Sequence, residues 1–374
     1  LVGSVTKQFT AAAILLLEEA GQLSVDDPLS RFIVGVPAGD SITIHQLLSH
    51  TSGVARDPFP DYPDQVIART LKEVVEAISL RPREFAPGAR MSYSNGGYVL
   101  LAAVIEAVSG VSYSEFLRNR ILEPLGMHNS GILPAHGRLP GMATGYDPAP
   151  SPDFVEEAPY FHPMNSIGAN GLVTTITDLF RWNQALHAGQ LLKPETRDRM
   201  FTPHPGGRGY GVGVFRRLGR DVIGHDGVTN GFTAFLNHFV DEDITIMYAG
   251  NIRSGTLSIL ESALAAEVFG ESFDPYEPPN LAKQAPGNAG QHAGVYELFP
   301  GFNMDVTCEN GNLELTGTGG YPTWLAPIED GGFFYRAMYA EVRFEEVEDG
   351  RRLVWVDRNG SEYPAKLTAA LDCP

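Results

Sequence analysis

Apolar positions divide the chain into a long part where helices alternate with loops and a final part of short strands. Val5, Phe9, Ala12, Ala13, Leu16 and Leu17 recur at helical spacing, Glu18 and Glu19 are polar, and Gly21 supplies a stop. A helix is therefore predicted over Ser4 to Ala20. The same pattern predicts helices over Thr43–Leu48, Leu71–Leu80, Gly97–Val108, Tyr113–Ile121 and Thr177–Leu186. Residues 128–170 are rich in Gly and Pro and lack periodicity; a loop of that length in a compact domain is expected to be functional or mobile. After residue 208, Tyr210–Phe215, Phe232–Val240 and Ile244–Tyr248 read as strands, and Leu257–Val268 reads as a closing helix.

A Pro-rich stretch from Phe273 to Pro279 opens an expected linker, 271–290. Beyond it, Gly294–Leu298, Met304–Glu309, Asn312–Thr316, Gly332–Arg336, Val342–Val347, Arg352–Asp357 and Glu362–Leu367 read as strands. Glu309-Asn310-Gly311, Asp349-Gly350 and Arg358-Asn359-Gly360 read as the turns between them. Such spacing predicts a small antiparallel barrel or sandwich over 291–374. Asn359-Gly360-Ser361 also matches a glycosylation sequon, but a hairpin turn accounts for it.

Composition narrows the function classes. The 374 residues are 43% hydrophobic, enough for a core, and carry a formal charge of −18. That acidity excludes nucleic acid as a partner, because phosphate binding needs a basic face. No apolar run reaches the ~20 residues that a membrane span requires. Two cysteines, Cys308 and Cys373, exclude a disulfide-rich scaffold and leave open one bridge between them. The ten histidines lack ligand spacing, so no metal is expected.

Three short motifs carry candidate chemistry. In Ser4-Val5-Thr6-Lys7 the serine and lysine lie three residues apart, on one helix face. A serine becomes a nucleophile beside a base, and a lysine serves when burial lowers its pKa. The competing reading is a solvated pair on a surface turn. In Tyr93-Ser94-Asn95, Tyr93 is a candidate proton shuttle, and Asn95 can bond Lys7 and a substrate carbonyl. The competing reading is a helix cap at Ser94 or Asn95. His225-Asp226-Gly227 reads either as a hairpin turn or as an edge strand beside the nucleophile. In the second case Gly227 admits substrate close to the backbone, and the Val228 amide joins the Ser4 amide as an oxyanion hole.

Together the motifs resemble those of the serine β-lactamase and penicillin-binding-protein superfamily, in its class C-like branch. Leu47-Leu48-Ser49-His50-Thr51-Ser52-Gly53, Phe85-Ala86-Pro87-Gly88, Glu123-Pro124-Leu125-Gly126-Met127 and Asn170-Gly171-Leu172-Val173-Thr174-Thr175 extend the resemblance across residues 1–270. The tail is similar to the lipocalin-like domains of some D-aminopeptidase relatives. The resemblance implies an α+β fold, an antiparallel sheet flanked by helices, followed by an all-β barrel. It implies a serine hydrolase acting through an acyl-enzyme, with no cofactor and a small-molecule or short-peptide substrate. Exported, periplasmic or secreted, relatives are common in that branch. The family fold has strands before the Ser-x-x-Lys helix, so a chain opening at Leu1 is expected to be shortened there.

His225 departs from the family pattern, standing where β-lactamases and carboxypeptidases have lysine. A histidine of pKa ~6.5 is mostly neutral at pH 7, which disfavours a carboxylate at that point. The departure therefore favours D-aminopeptidase, amidase or esterase chemistry. A β-lactamase or D-Ala-D-Ala carboxypeptidase is the alternative enzyme, and a non-catalytic binding module the alternative outside catalysis.

Overall fold

The computed structural model describes residues 1–59, 62–134, 138–149, 154–299, 302–318, 320, 322–329, 331–348 and 350–373. Asp349, half of one expected turn, lies outside them. Contacts group the chain into two compact units. The first comprises Leu1–Phe59, Gln65–Ala143 and Tyr160–Gly250; the second comprises Pro60–Asp64, Thr144–Pro159 and Asn251–Pro374.

In the first unit a 3-10 turn, Gly3–Val5, leads into α1 (Thr6–Glu19). The helix therefore starts two residues later than its apolar pattern predicts. Gly3 has φ +52, and Thr6 Oγ1 donates to Gly3 O at 2.7 Å. Short helix α2 (Ile44–Leu48) and helix α3 (Leu71–Leu80) each begin with a capping box, Thr43 with Gln46 and Thr70 with Glu73. In such a box the two side chains satisfy backbone donors that a helix start leaves open. Helix α4 (Asn95–Ser109) is capped by Ser94 and closed by Gly110; α5 (Tyr113–Leu117) and α6 (Ile176–His187) follow.

Helix α1 packs on α4 at the centre of the core. Burial extends round α1 to its polar residues, Thr6, Lys7, Gln8 and Thr10. Buried polar groups need partners. Gln8 Oε1 accepts from Trp182 Nε1 at 2.8 Å, and Thr10 Oγ1 lies 2.6 Å from both Tyr113 Oη and Gly168 O.

Four antiparallel strands form the unit's larger sheet in sequential order: β1 (Gly213–Arg217), β2 (Arg220–Thr229), β3 (Phe232–Phe239) and β4 (Ile244–Gly250). The strand expected from Tyr210 thus begins at Gly213. His225-Asp226-Gly227 is neither a hairpin turn nor on an edge strand. It lies inside β2, paired with β3 as His225↔Leu236 and Gly227↔Ala234. The pairing of β1 with β2 ends at Gly213↔Gly224, which leaves that side of residues 225–229 without a β1 partner. The Gly3–Val5 turn packs against β2.

The second unit holds a nine-stranded antiparallel sheet. Its strands are β5 (Gly294–Phe299), β6 (Phe302–Glu309), β7 (Asn312–Gly317), β8 (Thr323–Trp324), β9 (Ala326–Pro327), β10 (Phe333–Tyr335), β11 (Ala340–Val347), β12 (Gly350–Val356) and β13 (Glu362–Ala370). The spatial order is β8-β7-β6-β5-β13-β12-β11-β10-β9, so the two end strands are neighbours in sequence and the sheet is a nearly closed barrel. Tyr296, Val306, Leu313, Val342, Leu353 and Ala365 fill its core. Asn310 and Gly311 both have positive φ, 52° and 79°, as a two-residue hairpin turn of matching twist requires. Cys308 and Cys373 form a disulfide.

The last segment of the second unit begins at Asn251. Residues 251–253 hydrogen-bond to the 144–159 segment: Tyr146 N donates to Asn251 O at 3.0 Å, and Arg253 Nε meets Asp147 Oδ1 at 3.1 Å. Gly255 N in turn donates to Arg336 O at 3.1 Å. Within residues 271–290, Ala282 N donates to Pro327 O at 2.8 Å and Asn280 O accepts from Glu329 N at 3.0 Å.

Candidate active site

The Gly3–Val5 turn and the first turn of α1 place Ser4 and Lys7 together, with Lys7 Nζ 3.0 Å from Ser4 Oγ. Lys7 is fully buried, which excludes a solvated surface pair. Its Nζ also lies 2.8 Å from Asn95 Oδ1 and 2.9 Å from Ala169 O. Burial drives the Lys7 pKa well below its usual value, aided by the Arg56 and Arg208 charges and opposed chiefly by Asp57.

Asn95 opens α4 while Ser94 caps it, with Ser94 Oγ accepting from Gly97 N at 2.9 Å. Ser94 is thus the cap, and Asn95 beside it is the residue that bonds Lys7. Asn95 Nδ2 donates to Asp57 Oδ1 at 2.6 Å.

Lys7 Nζ lies 4.7 Å from the centroid of the Tyr93 ring, and His50 stacks on that ring at 4.4 Å. Its Oη is buried and completes no hydrogen bond of ordinary geometry among the described residues. Burial raises the phenol pKa, while the nearby Ser4 hydroxyl acts in the opposite sense.

His225 is buried, with its ring centroid 6.1 Å from that of Tyr93. Burial lowers its pKa to about 4, with the Asp226 carboxylate opposing and Lys7 assisting. Nδ1 meets the Asp226 carbonyl. A carbonyl only accepts, so Nδ1 carries the proton and the neutral ring keeps its lone pair on Nε2.

A Cβ at Gly227 would lie 2.0 Å from Val2 O and 3.0 Å from Ser4 N. The group that approaches Gly227 closely is therefore the chain's own nucleophile turn, and not substrate. A Cβ at Gly3 would likewise meet Val228 N at 2.8 Å. This contact sets the Ser4 and Val228 backbones side by side.

Three contributors were not legible as site residues in the sequence. His50 lies in one of the matched stretches; its Nδ1 accepts from Ser94 N at 3.1 Å, and burial holds its pKa well below 6.5. Arg208 places its guanidinium 5.3 Å from the Tyr93 ring centroid. Asp57 carries no motif at all. Among the described residues no three His, Cys, Asp or Glu side chains come together to hold a metal ion.

The fold is that of the β-lactamases and transpeptidases. The chain belongs to the Beta-lactamase family, a family of serine hydrolases, whose model matches residues 1–268. Penicillin-binding protein 4* of Bacillus subtilis (strain 168) is 31% identical over 398 aligned residues, covering 98% of this chain and 87% of the relative. A D-stereospecific amidohydrolase from Streptomyces sp. is similar in structure, with a TM-score of 0.64 and 26% identity over 72% of this chain and 86% of that one. The octameric penicillin-binding protein homologue from Pyrococcus abyssi has a TM-score of 0.63 and 25% identity over 97% of this chain and 87% of its own. Among the described residues no single helix is long and apolar enough to cross a membrane.

Proposed function

We propose that this chain hydrolyses amide or ester bonds through an acyl-enzyme on Ser4. The observation that carries the reading is the buried Lys7 amine, 3.0 Å from Ser4 Oγ, with its pKa driven down by burial. A neutral amine in that place is a general base. Ser4 Oγ attacks the substrate carbonyl as its proton passes to Lys7. The Ser4 and Val228 amides stabilise the oxyanion. Tyr93, kept a phenol by burial, relays the proton to the leaving group, and water then releases the acyl group from Ser4.

His225 and Asn95 orient the substrate and the proton network. A neutral His225 holds no carboxylate by charge, which supports D-aminoacyl amides, amino-terminal peptides and simple esters. The D-stereospecific amidohydrolase among the structural relatives supports the same class. Arg208 supports a second reading. Its cation beside Tyr93 is a site for a substrate carboxylate, as a β-lactamase or carboxypeptidase would need, and penicillin-binding proteins are among the relatives.

The test is turnover of p-nitrophenyl esters, D- and L-alanyl-p-nitroanilide and nitrocefin by the full chain and by Ser4→Ala. Ser4→Ala is expected to lower turnover by at least ~10³-fold. Undiminished turnover removes Ser4 from the mechanism. Rapid nitrocefin hydrolysis favours the second reading. A folded chain whose Ser4 takes no fluorophosphonate label is a binding module.

A further inference from the structure

The neutral Lys7 amine has two N–H donors and one lone pair, and three neighbours at hydrogen-bonding distance: Ser4 Oγ, Asn95 Oδ1 and Ala169 O. The Ala169 carbonyl only accepts. The direction of the lone pair therefore depends on Asn95. While Asn95 presents its oxygen, two accept-only neighbours consume both N–H donors, and the lone pair is left for the Ser4 hydroxyl. Were the amide to turn over, its NH₂ would donate to that lone pair and take it from Ser4.

We propose that Asp57 is the positioning residue that fixes the orientation of the Asn95 amide and so directs the Lys7 lone pair at Ser4. This rests on the Ser4 and Lys7 roles proposed above. An ionised carboxylate only accepts, so Asp57 Oδ1, 2.6 Å from Asn95 Nδ2, admits the nitrogen and rejects the oxygen.

The segment bearing Asp57 is itself held against the start of α4. Asn95 N and Gly96 N donate to Arg56 O at 2.8 and 3.0 Å. Arg56 N donates to Glu84 Oε1 at 3.1 Å, and the other Glu84 oxygen accepts from Ser92 Oγ at 2.8 Å. A Cβ at Gly96 would lie 2.7 Å from Ala55 O, so the segment sits directly on the helix. The second Asp57 oxygen is 3.3 Å from Arg56 Nε, on an arginine that is largely exposed. A chain of contacts thus runs Arg56, Asp57, Asn95, Lys7, Ser4, and Asp57 touches no reacting atom.

Two substitutions separate orientation from charge. Asp57→Ala leaves the Asn95 amide free to turn and is expected to lower kcat on a p-nitrophenyl ester by about 10², with KM little changed. Asp57→Asn can still offer a carbonyl oxygen to Asn95 Nδ2 while the exposed Arg56 side chain moves away. It is expected to keep kcat within about tenfold. Its acidic limb in kcat/KM should move to lower pH, because a negative charge favouring protonated Lys7 is gone.

Ser4→Ala in the same assay tests the reading beneath this one. If its turnover survives, the Ser4 assignment falls. If it is inactive and Asp57→Ala matches the wild type in kcat and pH profile, only the role of Asp57 falls. Asp57→Asn as inactive as Asp57→Ala also overturns the orientation argument. If Asp57→Ala loses its thermal transition, Asp57→Ser takes its place, and a kcat equal to the wild type overturns the proposal.

Discussion

A buried imidazole that stays neutral ties stability to pH. The pKa of His225 is about 4 in the folded chain and ~6.5 when unfolded. Between those values the unfolded chain binds more protons, so the contribution of this residue is present above pH ~6.5 and lost as pH falls through about 4. The loss is on the order of 3 kcal/mol. His225→Gln should therefore flatten the dependence of unfolding free energy on pH over that window by up to one proton, read by urea denaturation at several pH values. An unchanged slope would place the His225 proton elsewhere. At this scale the sequence was legible where neighbours lie on one turn, as with Ser4 and Lys7. It was silent on Asp57, 38 residues from its partner Asn95, because a contact made by a loop folding onto a helix start leaves no period to read.

Elements were legible where one local signal governs them. Helices α2, α3 and α4 begin where Thr43, Thr70 and Ser94 cap them. Strand β2 was masked because Asp226-Gly227 is a turn dipeptide, yet Gly227 serves a different need. It clears room for the Val2–Ser4 backbone against the strand. Gly227→Ala places a methyl group 2.0 Å from Val2 O, so either the nucleophile turn or β2 must move. A shift of about 1 Å in a catalytic group costs on the order of 10² in rate. Gly227→Ala should lose at least that much esterase turnover and melt at a lower temperature than wild type. A variant with wild-type turnover would show that the close approach of turn and strand is dispensable.

At the scale of the molecule, the barrel was legible from its Asn-Gly turns, while the contacts that tie residues 251–253 into the second unit were not. Pairing of residues 251–253 with the 144–159 segment joins stretches about a hundred positions apart, which periodicity cannot register. The Cys308–Cys373 disulfide spans 65 residues of sequence. Closing a loop of that size in the unfolded chain is worth about 4 kcal/mol in the chain-entropy account. Reduction, or replacement of both cysteines by serine, should lower the second unit's calorimetric transition; a transition indifferent to reductant would deny the bridge a stabilising role. The closing of the nine-stranded sheet has a consequence for life in a crowded solution. A sheet edge is a template on which another chain can pair and aggregate. Here the terminal strands are two residues long, they are separated only by Leu325, and one of them ends in Pro327, which has no N–H to offer. The nine-stranded sheet therefore presents little open edge on which a foreign strand could pair, a protection built into its topology.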